Sequence, residues 1–123
     1  MNPSPFPSFS GTVIEGKRLG RSIGFPTANI RINESDVAPA TYGIQISLEE
    51  KVYFGVGVHI VESYTFEAHI FDFSEEIYGK TLTITPLIKI RDNQKFTSLD
   101  ALKEQIQKDK ENMERWMQTT MQK

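Results

Sequence analysis

Three short stretches of this 123-residue chain hold residue types that could do chemistry, and the longest runs from Gly16 to Asn29. Glycines stand at 16, 20 and 24, with Lys17, Arg18 and Arg21 between them and Pro26-Thr27-Ala28-Asn29 at the end. Glycines so placed let a backbone approach a ligand closely and turn its N–H groups toward an anion. The three cations add positive charge in the same place. Thr27 and Asn29, two apart on an extended segment, project to one side. Two neutral oxygen ligands there suit a hard, partly hydrated Mg2+ that carries phosphates. A flexible basic hairpin loop followed by a proline turn accommodates the same residues. The stretch is neither a Walker motif nor a dinucleotide fingerprint.

The second stretch is Phe66-Glu67-Ala68-His69-Ile70-Phe71-Asp72-Phe73. Strand alternation puts Glu67, His69, Phe71 and Phe73 on one face and Phe66, Ala68, Ile70 and Asp72 on the other. A carboxylate sharing a face with two phenylalanines is partly desolvated, which raises its pKa toward that of a general base. An edge carboxylate at a barrel rim, with His69 hydrogen-bonded nearby, is the other reading. His59 and His69 have no metal-ligand spacing with a carboxylate, so a zinc or iron site is not expected. The third stretch runs from Ile90 to Phe96, where Arg91 and Phe96 could border a planar aromatic ligand. The other reading is a solvated connector, with Phe96 plugging the start of a helix and Arg91 left open.

The elements that must position these residues are mostly strands. Phe9–Ile14 reads as a first strand and 26–32 as extended chain. Period-two runs follow at 41–48, 52–60, 64–73 and 80–90. The breaks at 49–51, 61–63 and 74–76 are short enough for hairpins. Five or six strands without alternating helices make a mainly antiparallel sheet, and a closed or nearly closed barrel hides the edges of so small a sheet. At the C-terminus, Thr97 and Asp100 form a capping-box-like pair. Leu99, Leu102, Ile106, Met113 and Trp116 then fall near one helical face, predicting a packed helix over about 98–118. Residues 1–8 read as a flexible proline-rich arm and 9–123 as one domain.

The composition excludes several classes. With 38% apolar and 24% charged residues the chain is an ordinary globular one. A net charge of −2 gives no basic field for nucleic acid and no polybasic run for a membrane surface. Cysteine is absent, which removes disulfides, thiolate zinc sites and a cysteine nucleophile. No signal-like N-terminus and no run of membrane-spanning length stands out, so a cytoplasmic protein is expected.

Taken together, these segments resemble the riboflavin kinase family of flavokinases, including the C-terminal module of bacterial bifunctional riboflavin kinase/FAD synthetases. The resemblance lies in Ser10-Gly11-Thr12-Val13, in the run from Gly20 to Ile30 containing Gly-Phe-Pro-Thr-Ala-Asn, in Glu67 to Phe73 with Ile77-Tyr78-Gly79-Lys80, and in the exit from Ile90 to Phe96. It spans about residues 9–110. It implies a mainly β fold, a six-stranded antiparallel Greek-key barrel with one C-terminal α-helix. It implies ATP- and Mg2+-dependent phosphorylation of riboflavin to FMN at the ribityl 5′-hydroxyl, a phosphotransfer to an alcohol. Thr27 and Asn29 would hold Mg2+ and the nucleotide phosphates. The loop bearing Gly16, Lys17, Arg21 and Gly24 would fold over them, and Tyr78 would border the adenine. Glu67 would accept the hydroxyl proton, and Arg91 and Phe96 would flank the flavin.

One departure stands out. After Gly55-Val56 the family continues with an Asn-Ile-Gly-like turn and a longer loop containing Arg-Pro-Thr, whereas here 57–65 is short. That motivates an alternative, a kinase-like module that binds nucleotide or flavin with weak turnover. A further alternative is the kinase fragment of a longer FAD synthetase. The expected partners are therefore ATP/ADP and riboflavin/FMN, with the chain a monomer or fused to or associated with an FMN adenylyltransferase domain.

Overall fold

The computed structural model describes residues 6–14, 27–33, 35–73 and 75–121. Six strands form a closed antiparallel barrel: β1 (Phe9–Ile14), β2 (Ala28–Arg31), β3 (Thr41–Leu48), β4 (Lys51–Ile60), β5 (Thr65–Ile70) and β6 (Thr81–Arg91). Their order around the barrel is β1-β2-β5-β4-β3-β6. One helix, α1 (Leu99–Met121), follows. Among the described residues no helix is long and apolar enough to cross a membrane.

The alternation of apolar side chains explains the closure. Val13, Ile30, Tyr42, Ile44, Ile46, Leu48, Phe66, Ala68, Ile70, Leu82 and Ile84 point inward and form one buried core. On β4 the inward positions facing Tyr42 and Ile44 are glycines, Gly57 and Gly55. A methyl on Gly57 would run into the Phe66 ring and lie 3.0 Å from Ile44 Cδ1, so this glycine makes room for the aromatic filler of the core. The β3–β4 hairpin turns on Glu49 and Glu50, both left-handed with φ of 50° and 69°. That twist matches a two-residue hairpin, although Asn-Gly is the pair that adopts it with least strain.

Two connections are crossovers rather than hairpins. The chain from β2 to β3 crosses one end of the barrel, and the chain from β5 to β6 crosses the other. The break at 74–76, expected as a hairpin, is thus the middle of a ten-residue bridge between strands that are not neighbours. The alternation expected through Phe73 stops at Ile70 because Asp72 is left-handed, with φ 55°. Phe73 consequently turns to the core side and meets Tyr53 edge-on at 5.1 Å.

The helix begins one residue later than its sequence signals suggest. Ser98 Oγ, not Thr97, accepts the Ala101 N–H at 3.1 Å, and Leu99 is exposed rather than part of the packed stripe. Met113 is fully buried against the Gly43 notch and Ile88. Asp109, also buried, receives both Arg91 Nε (2.9 Å) and Nη2 (2.8 Å), and Gln105 Nε2 adds a third bond at 2.9 Å. Asn93 ties the strand-to-helix connector down by donating to His59 O (2.9 Å) and accepting from Thr41 Oγ1 (3.2 Å). At the N-terminus Phe6 packs edge-on against Tyr42 and Ser8 Oγ lies 2.7 Å from Thr85 Oγ1.

Candidate active site

A cavity of about 330 Å³ opens at the barrel end where β1 and β5 finish and β2 begins. That lies at the lower end of the range of small-molecule sites. It exists because the strands carry small side chains there: Ala28 stands opposite Ala68 in the β2–β5 ladder. Val13, Ile70, Phe73 and Ile77 form apolar walls, and Thr27, Glu75, Glu76 and Tyr78 supply the polar lining. The bridge carrying Phe73 to Tyr78 is held to β1 by backbone bonds, from Val13 N–H to Lys80 O (2.8 Å) and from Gly79 N–H to Val13 O (3.0 Å). Gly79 takes φ 83°, which a glycine adopts without strain.

One step along the same ladder, Asn29 is registered directly opposite Glu67. Alternation turns this pair to the outer face of the sheet, away from the Ala28–Ala68 pair that floors the cavity. Directly opposed residues on one face have Cβ atoms about 4.5–5.5 Å apart. Asn29 is only 5% exposed. Glu67 is half-buried.

The outer face continues along β5. His69 is half-buried and its ring meets Phe71 edge-on, with centroids 5.7 Å apart. Burial, and secondarily the charge of Lys110 on α1, hold its pKa below the usual imidazole value. Lys110 Nζ stands 5.9 Å from the Phe71 ring centroid. Helix α1 therefore brings a cation to the strand that carries Glu67.

The sequence-predicted residues fall into three groups. Thr27, Asn29, Glu67 and Tyr78 gather around the β2–β5 pair, on its two faces. Arg91, the last residue of β6, and Phe96 lie at the end of that strand opposite the cavity, with the guanidinium 5.9 Å from the Phe96 centroid. The Arg91 fork is engaged by Asp109. Gly16, Lys17, Arg21 and Gly24 lie outside the described residues. Sequence reasoning passed over Asp109 and Lys110. Asp109 had a legible signal, an acid three residues after Ile106 and four before Met113 on the apolar stripe, which needs a cation when buried. Lys110 had none, being one of several lysines on an amphipathic helix.

Residues 5–117 match the family described as riboflavin kinase, or flavokinase. The chain is 36% identical over 109 residues to the RNA-binding riboflavin kinase RibR of Bacillus subtilis, covering 81% of this chain and 46% of that protein. It is 38% identical over 118 residues to the bifunctional riboflavin kinase/FMN adenylyltransferase of the same organism, covering 86% and 37% respectively. The chain thus spans less than half the length of these relatives. Among solved structures, one described as a macrolide-efflux protein from Streptococcus pneumoniae superposes with a TM-score of 0.78 at 32% identity, over 89% of this chain and 38% of that one. The riboflavin kinase from Trypanosoma brucei gives 0.69 at 22% identity, over 93% and 78%, a likeness of fold.

Proposed function

Because the chain belongs to the riboflavin kinase family, we propose that it transfers the γ-phosphoryl group of ATP to the ribityl 5′-hydroxyl of riboflavin, giving FMN and ADP. The observation that carries this reading is the Asn29–Glu67 register beside a cavity lined by Thr27 and Tyr78. The cavity suits the adenosine, with Tyr78 at the base. Phosphoryl transfer needs positioning and charge neutralisation more than covalent help. A single half-buried carboxylate is enough for the proton. Glu67 accepts it as the ribityl oxygen bonds to the γ-phosphorus and the bond to the β–γ bridging oxygen breaks, leaving ADP.

The residues present fit Mg2+. Asn29 is a buried amide, and Thr27, two residues earlier and so on the same side of the extended chain, is half-buried at the cavity rim. No group of three or more histidines and acids able to hold a metal occurs among the described residues. Neutral ligands of this kind suit a cation whose charge is balanced by phosphates. Mg2+, when bound, would supply charge neutralisation at those phosphates, with Thr27 and Asn29 holding it. The loop bearing Gly16, Lys17, Arg21 and Gly24 would close over the nucleotide. Phe96, with Arg91 behind it, would border the flavin.

The decisive experiment incubates the purified chain with MgATP and riboflavin and follows FMN by chromatography. Glu67→Gln should lower turnover by about 10²-fold or more, while MgADP binding survives. Full turnover in that variant would remove Glu67 as the base. The short β4–β5 connection, a single 3-10 turn at Val61–Ser63, favours a second reading, a module that binds flavin with weak turnover. Tight flavin binding without product would support it, and steady FMN formation would end it.

A further inference from the structure

Lys110 lies half-buried on α1, and neither an ion pair nor a hydrogen bond to another described residue engages its ammonium. Glu114, one helical turn on, is exposed. The Lys110 ammonium stands 5.9 Å from the Phe71 ring centroid, and its charge helps lower the His69 pKa. A partly desolvated ammonium costs free energy unless it meets acceptors, and this one stands beside Phe71, the residue that follows β5. His69 and Phe71 are the side chains beneath it, and Glu67 is the next residue along that face.

We propose that Lys110 is a specificity-determining residue for the phosphoryl acceptor, its ammonium donating to a carbonyl edge of a planar heteroaromatic ring laid along His69 and Phe71. This rests on the kinase reading, in which Glu67 faces the acceptor hydroxyl. Riboflavin meets the requirement, since its pyrimidine edge carries two carbonyl oxygens. A ring lacking such an edge would gain nothing from the ammonium, so Lys110 separates acceptors by hydrogen-bonding capacity rather than by size.

The test compares Lys110→Met with the wild type and with Lys110→Arg. Lys108→Met, at an exposed position two residues away, serves as a control. One charge-assisted hydrogen bond corresponds to about a tenfold change in affinity. Lys110→Met is therefore expected to raise KM for riboflavin about tenfold while KM for MgATP holds, and Lys110→Arg to recover most of that loss. The His69 resonances should also titrate at higher pH in Lys110→Met, which reports that the cation was where the structure has it. An unchanged riboflavin KM, or equal rises in both KM values, overturns the proposal. Riboflavin fluorescence titration of the same variants separates this from the kinase reading. If the wild type made no FMN, that reading would fail, yet a tenfold weaker flavin Kd in Lys110→Met would still support Lys110, and an equal Kd would refute it.

Discussion

Asp109→Asn is the substitution whose consequence can be worked furthest from the structure. The carboxylate is 3% exposed at its side chain and the Arg91 side chain 18%, and two bonds of 2.8 and 2.9 Å join them in a bidentate pair. An asparagine keeps the shape but offers one acceptor where the guanidinium fork needs two, and turns an N–H toward an N–H. The fork is then left with its charge largely uncompensated. Breaking a buried pair in this way costs about 3–5 kcal/mol, and the partial solvent access of Arg91 brings the expectation to about 2–4 kcal/mol. In a domain of this size that lowers Tm by roughly 10 °C.

The assay is thermal and urea denaturation followed by far-UV circular dichroism, which sees α1 directly. Replacing both partners, Arg91→Met with Asp109→Leu, removes the charges together and should return stability to within about 1–2 kcal/mol of the wild type. A loss below about 0.5 kcal/mol in Asp109→Asn would refute the claim that this pair clamps the helix. The folded double variant also isolates a second role. With α1 held by apolar packing, any rise in riboflavin KM measures what the guanidinium itself contributes to the acceptor.

Two further outcomes follow from local geometry. Gly57→Ala should destabilise by about 1–3 kcal/mol, because the added methyl meets a Phe66 ring that is fully buried and packed edge-on against Phe9. A double-mutant cycle with Phe66→Leu should recover at least about 1 kcal/mol of the summed losses, and simple additivity would disprove the steric account. His69 gives a pH dependence of definite sign. Its folded pKa lies below the unfolded value, so below the usual imidazole range the unfolded chain binds more protons and stability falls as pH drops through the window between the two values. His69→Gln should flatten urea midpoints across that window, and an equally steep fall in the variant would assign the effect to another group.

The strands were legible because each carries its own period. Thr41–Leu48 reads as strand from alternation alone and is one, with Tyr42, Ile44, Ile46 and Leu48 inward. Alternation says which face a residue takes but not which strand lies beside it. The 74–76 break looked like a hairpin for that reason: ten residues can either reverse or cross a barrel end, and only the order β1-β2-β5-β4-β3-β6 decides. That same order makes the site. Thr27-Ala28-Asn29 and Glu67-Ala68 are some forty residues apart in sequence. Pairing β2 with β5 gives one ladder whose inner rung, Ala28–Ala68, leaves the cavity, and whose outer rung, Asn29–Glu67, sets an amide beside a carboxylate. The resemblance to flavokinases named these residues without supplying that division of faces. It placed Arg91 toward the flavin without showing that an acid also holds it, since an arginine beside an aromatic residue looks the same in sequence whether its fork is open or occupied. The acid that occupies it lies eighteen residues on, on the face of α1 otherwise given to Met113. A buried acid on an apolar stripe demands a cation, and that demand is the sequence signal for the pairing of Arg91 with α1.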